Sequence, residues 1–250
     1  MKVLIHLANV FLIAGLLSCE KTATDSASAA APSNTGVGGS LTRFTIIGNY
    51  MYAVSSFMLY TIDISNPANP VNVSQTPLNF DIETIYPYKN RLFIGSRTGL
   101  YIYSIDTASA PRLIGQARHG RSCDPVVAND TVSYSTLRSS TACGAAPSGL
   151  YVYNIKNLDQ PEFKKTISLN DPIGLGMADS ALYVCCRNEG LKVFSIKNAY
   201  NPVEIKTIPN AGFVDVIPYR DILICWVVDG ISLYDISKRL QPVFIKTIDN

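Results

Sequence analysis

The stretch Gly99-Leu100-Tyr101-Ile102-Tyr103-Ser104-Ile105-Asp106-Thr107-Ala108-Ser109-Ala110-Pro111 decides the fold. Its run from Leu100 to Ile105 is apolar on both alternating faces, which suits a strand buried on two sides rather than one half in water. Pro111 then ends the pairing, because it has no N–H to donate. The same landmarks return along the chain. Prolines stand at Pro70, Pro111, Pro161, Pro202 and Pro242, spaced by 41, 50, 41 and 40 residues. Six residues before each comes Ile64, Ile105, Ile155, Ile196 or Ile236, and two before that Ile62, Tyr103, Tyr153, Phe194 or Tyr234. A Gly-Leu-like pair opens four units, at Gly99-Leu100, Gly149-Leu150, Gly190-Leu191 and Gly230-Ile231, with Met58-Leu59 in the first. Registers that agree at this many positions make a repeat, and a period near 40 residues with four short β runs predicts propeller blades.

In the second unit the runs are expected at residues 84–88, 91–96, 99–106 and 112–116, with Lys89-Asn90 as a tight turn. The sequence therefore predicts an all-β chain: a five-bladed β-propeller of four-stranded antiparallel blades over residues 42–250, with an insertion in blade three. The chain leaves on Pro242-Val243-Phe244-Ile245-Lys246-Thr247-Ile248, the outer strand of blade five. No strand is left over to complete another blade, so closure is expected from side-chain packing between blades one and five.

The segment Tyr60-Thr61-Ile62-Asp63-Ile64-Ser65-Asn66-Pro67-Ala68-Asn69-Pro70 resembles the unit of the LVIVD-repeat family, roughly Gly-Leu-x-Val-x-Asp-Ile-Ser-x-Pro-x-x-Pro. Leu233-Tyr234-Asp235-Ile236-Ser237, continuing to Pro242, is similar to it as well. The likeness extends over about residues 42–250 and is looser in the middle units. It implies a secreted or surface-anchored propeller and supplies neither a reaction nor a ligand.

Lys2 followed by a largely apolar stretch to Leu17 reads as a secretory signal, too short to span a bilayer. It ends in Leu16-Leu17-Ser18-Cys19, which resembles the bacterial lipobox. That resemblance implies cleavage before Cys19, lipidation of its sulfur, and stable anchoring through several acyl chains. Residues 1–18 are then a lipoprotein signal peptide, and residues 19–41 the lipidated cysteine with a flexible tether. From Glu20 to Ser40 the tether is small and polar, with a reach of ~25 Å. The expected location is the bacterial cell envelope, on the outer membrane, periplasmic or surface-exposed.

Composition narrows the function. Lys+Arg number 21 against 19 Asp+Glu, a net charge of +2, without the basic excess of a nucleic-acid binder. There are two histidines, and His6 lies in the signal, so a zinc site built on several histidines is excluded and a Ser-His-Asp triad would need His119. No phosphate-cradling glycine motif or EF-hand spacing occurs. No catalytic residue, metal or cofactor is expected.

Cys123 precedes the first strand of blade three, expected at residues 124–128, and Cys143 falls in its elongated 2–3 loop, residues 136–148. One face and an extracytoplasmic compartment favour a disulfide worth ~3 kcal/mol, the alternative being two free thiols. Cys185 and Cys225 occupy equivalent packing positions, with Cys186 turned the other way. The insertion gathers on the same face as Arg97, Arg187, Asp81 and Asp171. Arg118, His119, Arg121, Asp124 and Arg138 are the ligand-binding candidates there, because long loops on rigid scaffolds concentrate binding. The turns Gly48-Asn49, Lys89-Asn90 and Asp179-Ser180 at the opposite end look built for compactness.

The expected function is a non-catalytic, membrane-anchored module for a protein or glycan partner. A structural subunit of an envelope complex is one alternative, and a propeller glycan hydrolase or lyase another.

Overall fold

The computed structural model describes residues 38–78, 81–119, 125–139, 144–209 and 212–249, all within the unit Ser33–Asn250. Residues 1–37, and with them Cys19 and the signal, lie outside the described residues. Among the described residues, twenty strands form five four-stranded sheets, each antiparallel and paired in sequence order. Blade one holds β1 (Phe44–Ile47), β2 (Tyr50–Val54), β3 (Met58–Asp63) and β4 (Val71–Pro77). Blade two holds β5 (Ile82–Tyr88), β6 (Arg91–Ser96), β7 (Gly99–Ser104) and β8 (Arg112–Arg118). Blade three holds β9 (Val126–Ala128), β10 (Val132–Leu137), β11 (Gly149–Asn154) and β12 (Glu162–Ser168). Blade four holds β13 (Pro172–Ala178), β14 (Ala181–Cys186), β15 (Gly190–Ser195) and β16 (Val203–Ile208). Blade five holds β17 (Phe213–Tyr219), β18 (Ile222–Val227), β19 (Gly230–Asp235) and β20 (Val243–Asp249). The fold is a five-bladed β-propeller.

The repeat motif has a mechanical reading. The backbone N–H of each signature isoleucine donates to the turn before strand two: Ile64 to Asn49, Ile105 to Asn90, Ile155 to Thr131, Ile196 to Ser180 and Ile236 to Asp221. Just before the isoleucine, Asp63, Asn154 and Asp235 accept from the N–H two residues on, an Asx turn, and Ser104 does the same with its hydroxyl. A β-turn follows in every blade, for example Asn69 N–H to Asn66 O and Gln241 N–H to Lys238 O. The third and fourth strands then shift register at one equivalent place in all five blades, a bulge that increases local twist.

Blades stack through apolar faces. Four core clusters join blade one to two, two to three, three to four, and four to five. A tyrosine on the second strand reaches across three of these joints. Tyr52 donates to Ala108 O at 2.8 Å, Tyr134 to Ala199 O at 2.7 Å, and Tyr183 to Arg239 O at 2.7 Å. Phe93 takes the position in blade two and Ile224 in blade five.

The expected closure is corrected here. Among the described residues no core cluster joins blade five to blade one. Phe44 (56% exposed) and Ile46 (44%) lie on blade one's outer face with Met51, Tyr60 and Ile62. Trp226 (55%) and Ile231 (42%) lie on that of blade five with Ile222, Ile224 and Leu233. What reaches β17 is the lead-in before β1. Ser40 Oγ donates to Asp215 Oδ1 at 3.0 Å, and Leu41 N–H to Oδ2 at 3.3 Å. On the other side Thr42 and Ile85 exchange hydrogen bonds, so this segment occupies the axis. The packed chain thus begins before residue 42, with Gly39 and Ser40 already buried.

Candidate functional site

First strands line the axis, and the ends where they begin form a mouth. A cavity of about 140 Å³ opens there between Leu41, Arg43, Glu83, Thr84, Pro125 and Arg138, with Pro172 and Ile173 completing it. Arg43 is spent on the backbone, its Nη2 donating to Ile82 O at 2.7 Å and its Nε to Glu83 O at 3.2 Å. Arg97 pairs with Glu83 at 3.2 Å and with Asp81 at 3.8 Å. Asp171 stands between Arg138 at 3.8 Å and Arg187 at 3.6 Å. Its backbone has φ of 46°, a left-handed conformation that an aspartate tolerates better than most side chains. Its carbonyl also accepts from Arg187 N–H at 3.1 Å, which fixes the carboxylate between the two arginines. The rim therefore carries two groups of alternating charge, Asp81–Arg97–Glu83 and Arg138–Asp171–Arg187.

Beneath it lies a buried carboxylate. Asp215 accepts from Ser40 Oγ, Leu41 N–H and Val216 N–H, while Leu175 N–H donates to Ser40 Oγ at 2.8 Å. Burial pushes its carboxyl up from the usual range to about 6, against the lowering effect of those hydrogen bonds. The fit demands glycine on both sides: a Cβ on Gly39 would come within 2.2 Å of Oδ2, and one on Gly174 within 2.3 Å of Oδ1. The same group adds to the rise of Cys185 and Cys225, although burial is the main cause for both thiols. The expected equivalence of Cys185 and Cys225 is corrected by the register, which matches Cys185 with Trp226 and Cys225 with Val184. The two thiols enter the joint between blades four and five from opposite sides, while Cys186 faces blade three, as neighbours on a strand must.

The structure divides the sequence-derived candidates. Arg138 stands at the mouth. Arg118 and His119 line a separate cleft of about 670 Å³ with Phe57, Asp81, Thr98, Tyr101, Leu113 and Gln116. His119 N–H donates to Thr98 O at 3.2 Å, and its ring lies 6.4 Å from that of Tyr151. Asp81 belongs to this cleft and, through Arg97, to the rim. Arg121, Asp124 and the pair Cys123–Cys143 lie outside the described residues. Sequence reasoning missed Arg43, Glu83 and Asp215. Asp215 had a signal: it is the one charge in Phe213-Val214-Asp215-Val216-Ile217. The opposite end also holds more than compact turns, since Lys89, Arg91, Arg112 and Lys156 border a cleft of about 740 Å³ with Asp106 and Asp159.

The family model of the LVIVD repeat matches residues 38–76, which is blade one with its lead-in. No curated protein matches the sequence. Among solved structures, the computationally designed Ika8 protein superposes with a TM-score of 0.57 at 12% identity, over 83% of this chain and 61% of its own. A functionally unknown protein from Desulfotomaculum acetoxidans gives 0.51 at 10% identity, over 81% of this chain and 80% of its own. BamB from Moraxella catarrhalis gives 0.50 at 13% identity, over 83% and 63%. This chain spans about three fifths of the designed protein and of BamB. At these identities the likeness is one of fold.

Proposed function

We propose that this protein is a lipid-anchored, extracytoplasmic, non-catalytic propeller that binds a protein or glycan partner at its mouth. The observation that carries the reading is the rim: Arg97, Arg138 and Arg187 are each oriented by a carboxylate, and Arg138 lines the small cavity that opens at the mouth. Side chains already held in place lose little freedom on binding, and arginines offer forked donors to carboxylates, carbonyls or sugar hydroxyls. The Leu16-Leu17-Ser18-Cys19 ending supports anchoring in the bacterial envelope, on the outer membrane. Cys19→Ser is expected to abolish palmitate labelling and release the protein from membranes; unchanged labelling would refute the anchor.

Binding is tested on glycan and peptide arrays. Arg97→Ala with Arg138→Ala is expected to weaken retention by about 1–3 kcal/mol, roughly five- to 150-fold. Arg91→Ala with Arg112→Ala at the opposite end is expected to leave it unchanged. The reverse pattern would place recognition at the other end.

A further inference from the structure

We propose that two copies of this chain associate reciprocally, the open face of blade five on each lying against the open face of blade one on the other. Four joints inside the chain follow one rule. The face bearing the first, third and fifth residues of β2 (Tyr50, Tyr52 and Val54), or their equivalents in the next blades, meets the following blade, whose opposite face receives it; Val54 of blade one thus meets Leu92 and Ile94 of blade two. Blade five presents a face of the first kind around Trp226, and blade one a face of the second kind around Phe44 and Ile46. Each copy thus carries both halves of the joint it lacks. Placing one on the other continues the intramolecular stack across a subunit boundary.

A blade stack is quasi-one-dimensional, and such arrays need polar outer faces at their ends to stay soluble alone. Here both ends are apolar. Burial area then sets the number of joints. A face of four strands about 4.8 Å apart and five to six residues long covers roughly 300 Å². One joint would bury about 600 Å² in total, below the range of stable complexes, whereas two reciprocal joints bury about 1,200 Å² and enter it. A two-fold pair is therefore the smallest assembly that covers both ends. The surface is distinct from the charged mouth, so the proposal stands whether or not the mouth binds a partner.

Sedimentation equilibrium of the purified full chain in density-matched detergent tests this. The expected result is a dimer at micromolar concentration. Phe44→Asp and Trp226→Asp should each give a monomer, because every joint contains one face of each kind. Both side chains are already half exposed, so circular dichroism and melting of the variants should match those of the monomeric wild type. If either variant misfolds, dilution of the wild type to a monomer, with Trp226 becoming accessible to acrylamide, carries the test. A monomeric wild type at every concentration would overturn the proposal. So would a dimer that survives either substitution, because the contact would then pair a face with its own kind.

Discussion

The inner blades and the terminal blades use the same repeat and end in different surroundings. β10 and β14 are buried along their whole length and β6 from Leu92 to Ser96, one face against each neighbour. β18, Ile-Leu-Ile-Cys-Trp-Val, is just as apolar on both sides, yet only its Leu223, Cys225 and Val227 are buried. Local sequence therefore sets each strand for two-sided burial, while position in the stack decides whether the second side receives it. Polar replacement is the usual means of ending such a stack, and neither terminal face has it.

The comparison breaks most visibly in the core. Leu182, fully buried between blades three and four, should cost about 2–5 kcal/mol when changed to Ala, read by urea unfolding. A cost below about 1 kcal/mol would mean that the inner joint is looser than the burial shows.

The axis comes next. Asp215 holds its proton up to about pH 6, against 3.8 ordinarily, so between these values the folded chain binds more protons than the unfolded chain. Its contribution to stability is greatest below about pH 4, falls as pH rises through the window, and is constant above it. The total fall is up to about 3 kcal/mol. Asp215→Asn should remove that part of the slope between pH 4 and 6 in denaturation profiles. Superimposable wild-type and variant profiles would show that the carboxylate is solvated.

The tyrosine latch is smaller. Tyr134→Phe loses one hydrogen bond to Ala199 O and should cost about 1 kcal/mol, while Phe93→Tyr, where the sequence lacks the hydroxyl, tests whether blade three can accept a latch. Smallest is the open face: in dilute solution Ile231→Thr should change chain stability by less than about 0.5 kcal/mol. A core-sized loss there would mean that the face is covered within a single chain.

Much of the fold was legible because the repeat writes its own turns. The signature isoleucine, the Asx residue before it and the proline after it mark places where specific backbone hydrogen bonds form, so blade count and strand order followed from spacing. In the second unit, β6 matched the expectation end to end, whereas β5 and β8 run two residues further than patterning suggested, because backbone pairing continues past the apolar run. Closure was not legible. Packing between sequence-distant blades depends on the angle accumulated over four joints and on the lead-in at the axis, and the small residues Gly38-Gly39-Ser40 read as tether. The mouth was half legible: Arg138 and the charges of Asp81, Arg97, Asp171 and Arg187 belong to exposed loops, whereas the importance of Asp215 comes from desolvation, which spacing does not report.

Trp226 is the only tryptophan in the chain and stands on blade five's open face, near the end of β18 and opposite Ile231. Its fluorescence reports that face without labelling. The account predicts water-exposed emission with efficient acrylamide quenching at the lowest protein concentrations, then a blue shift and protection as concentration rises and a second copy covers the ring. Buried, unquenched emission that is independent of concentration would contradict it, because the fifth joint would then be made within one chain.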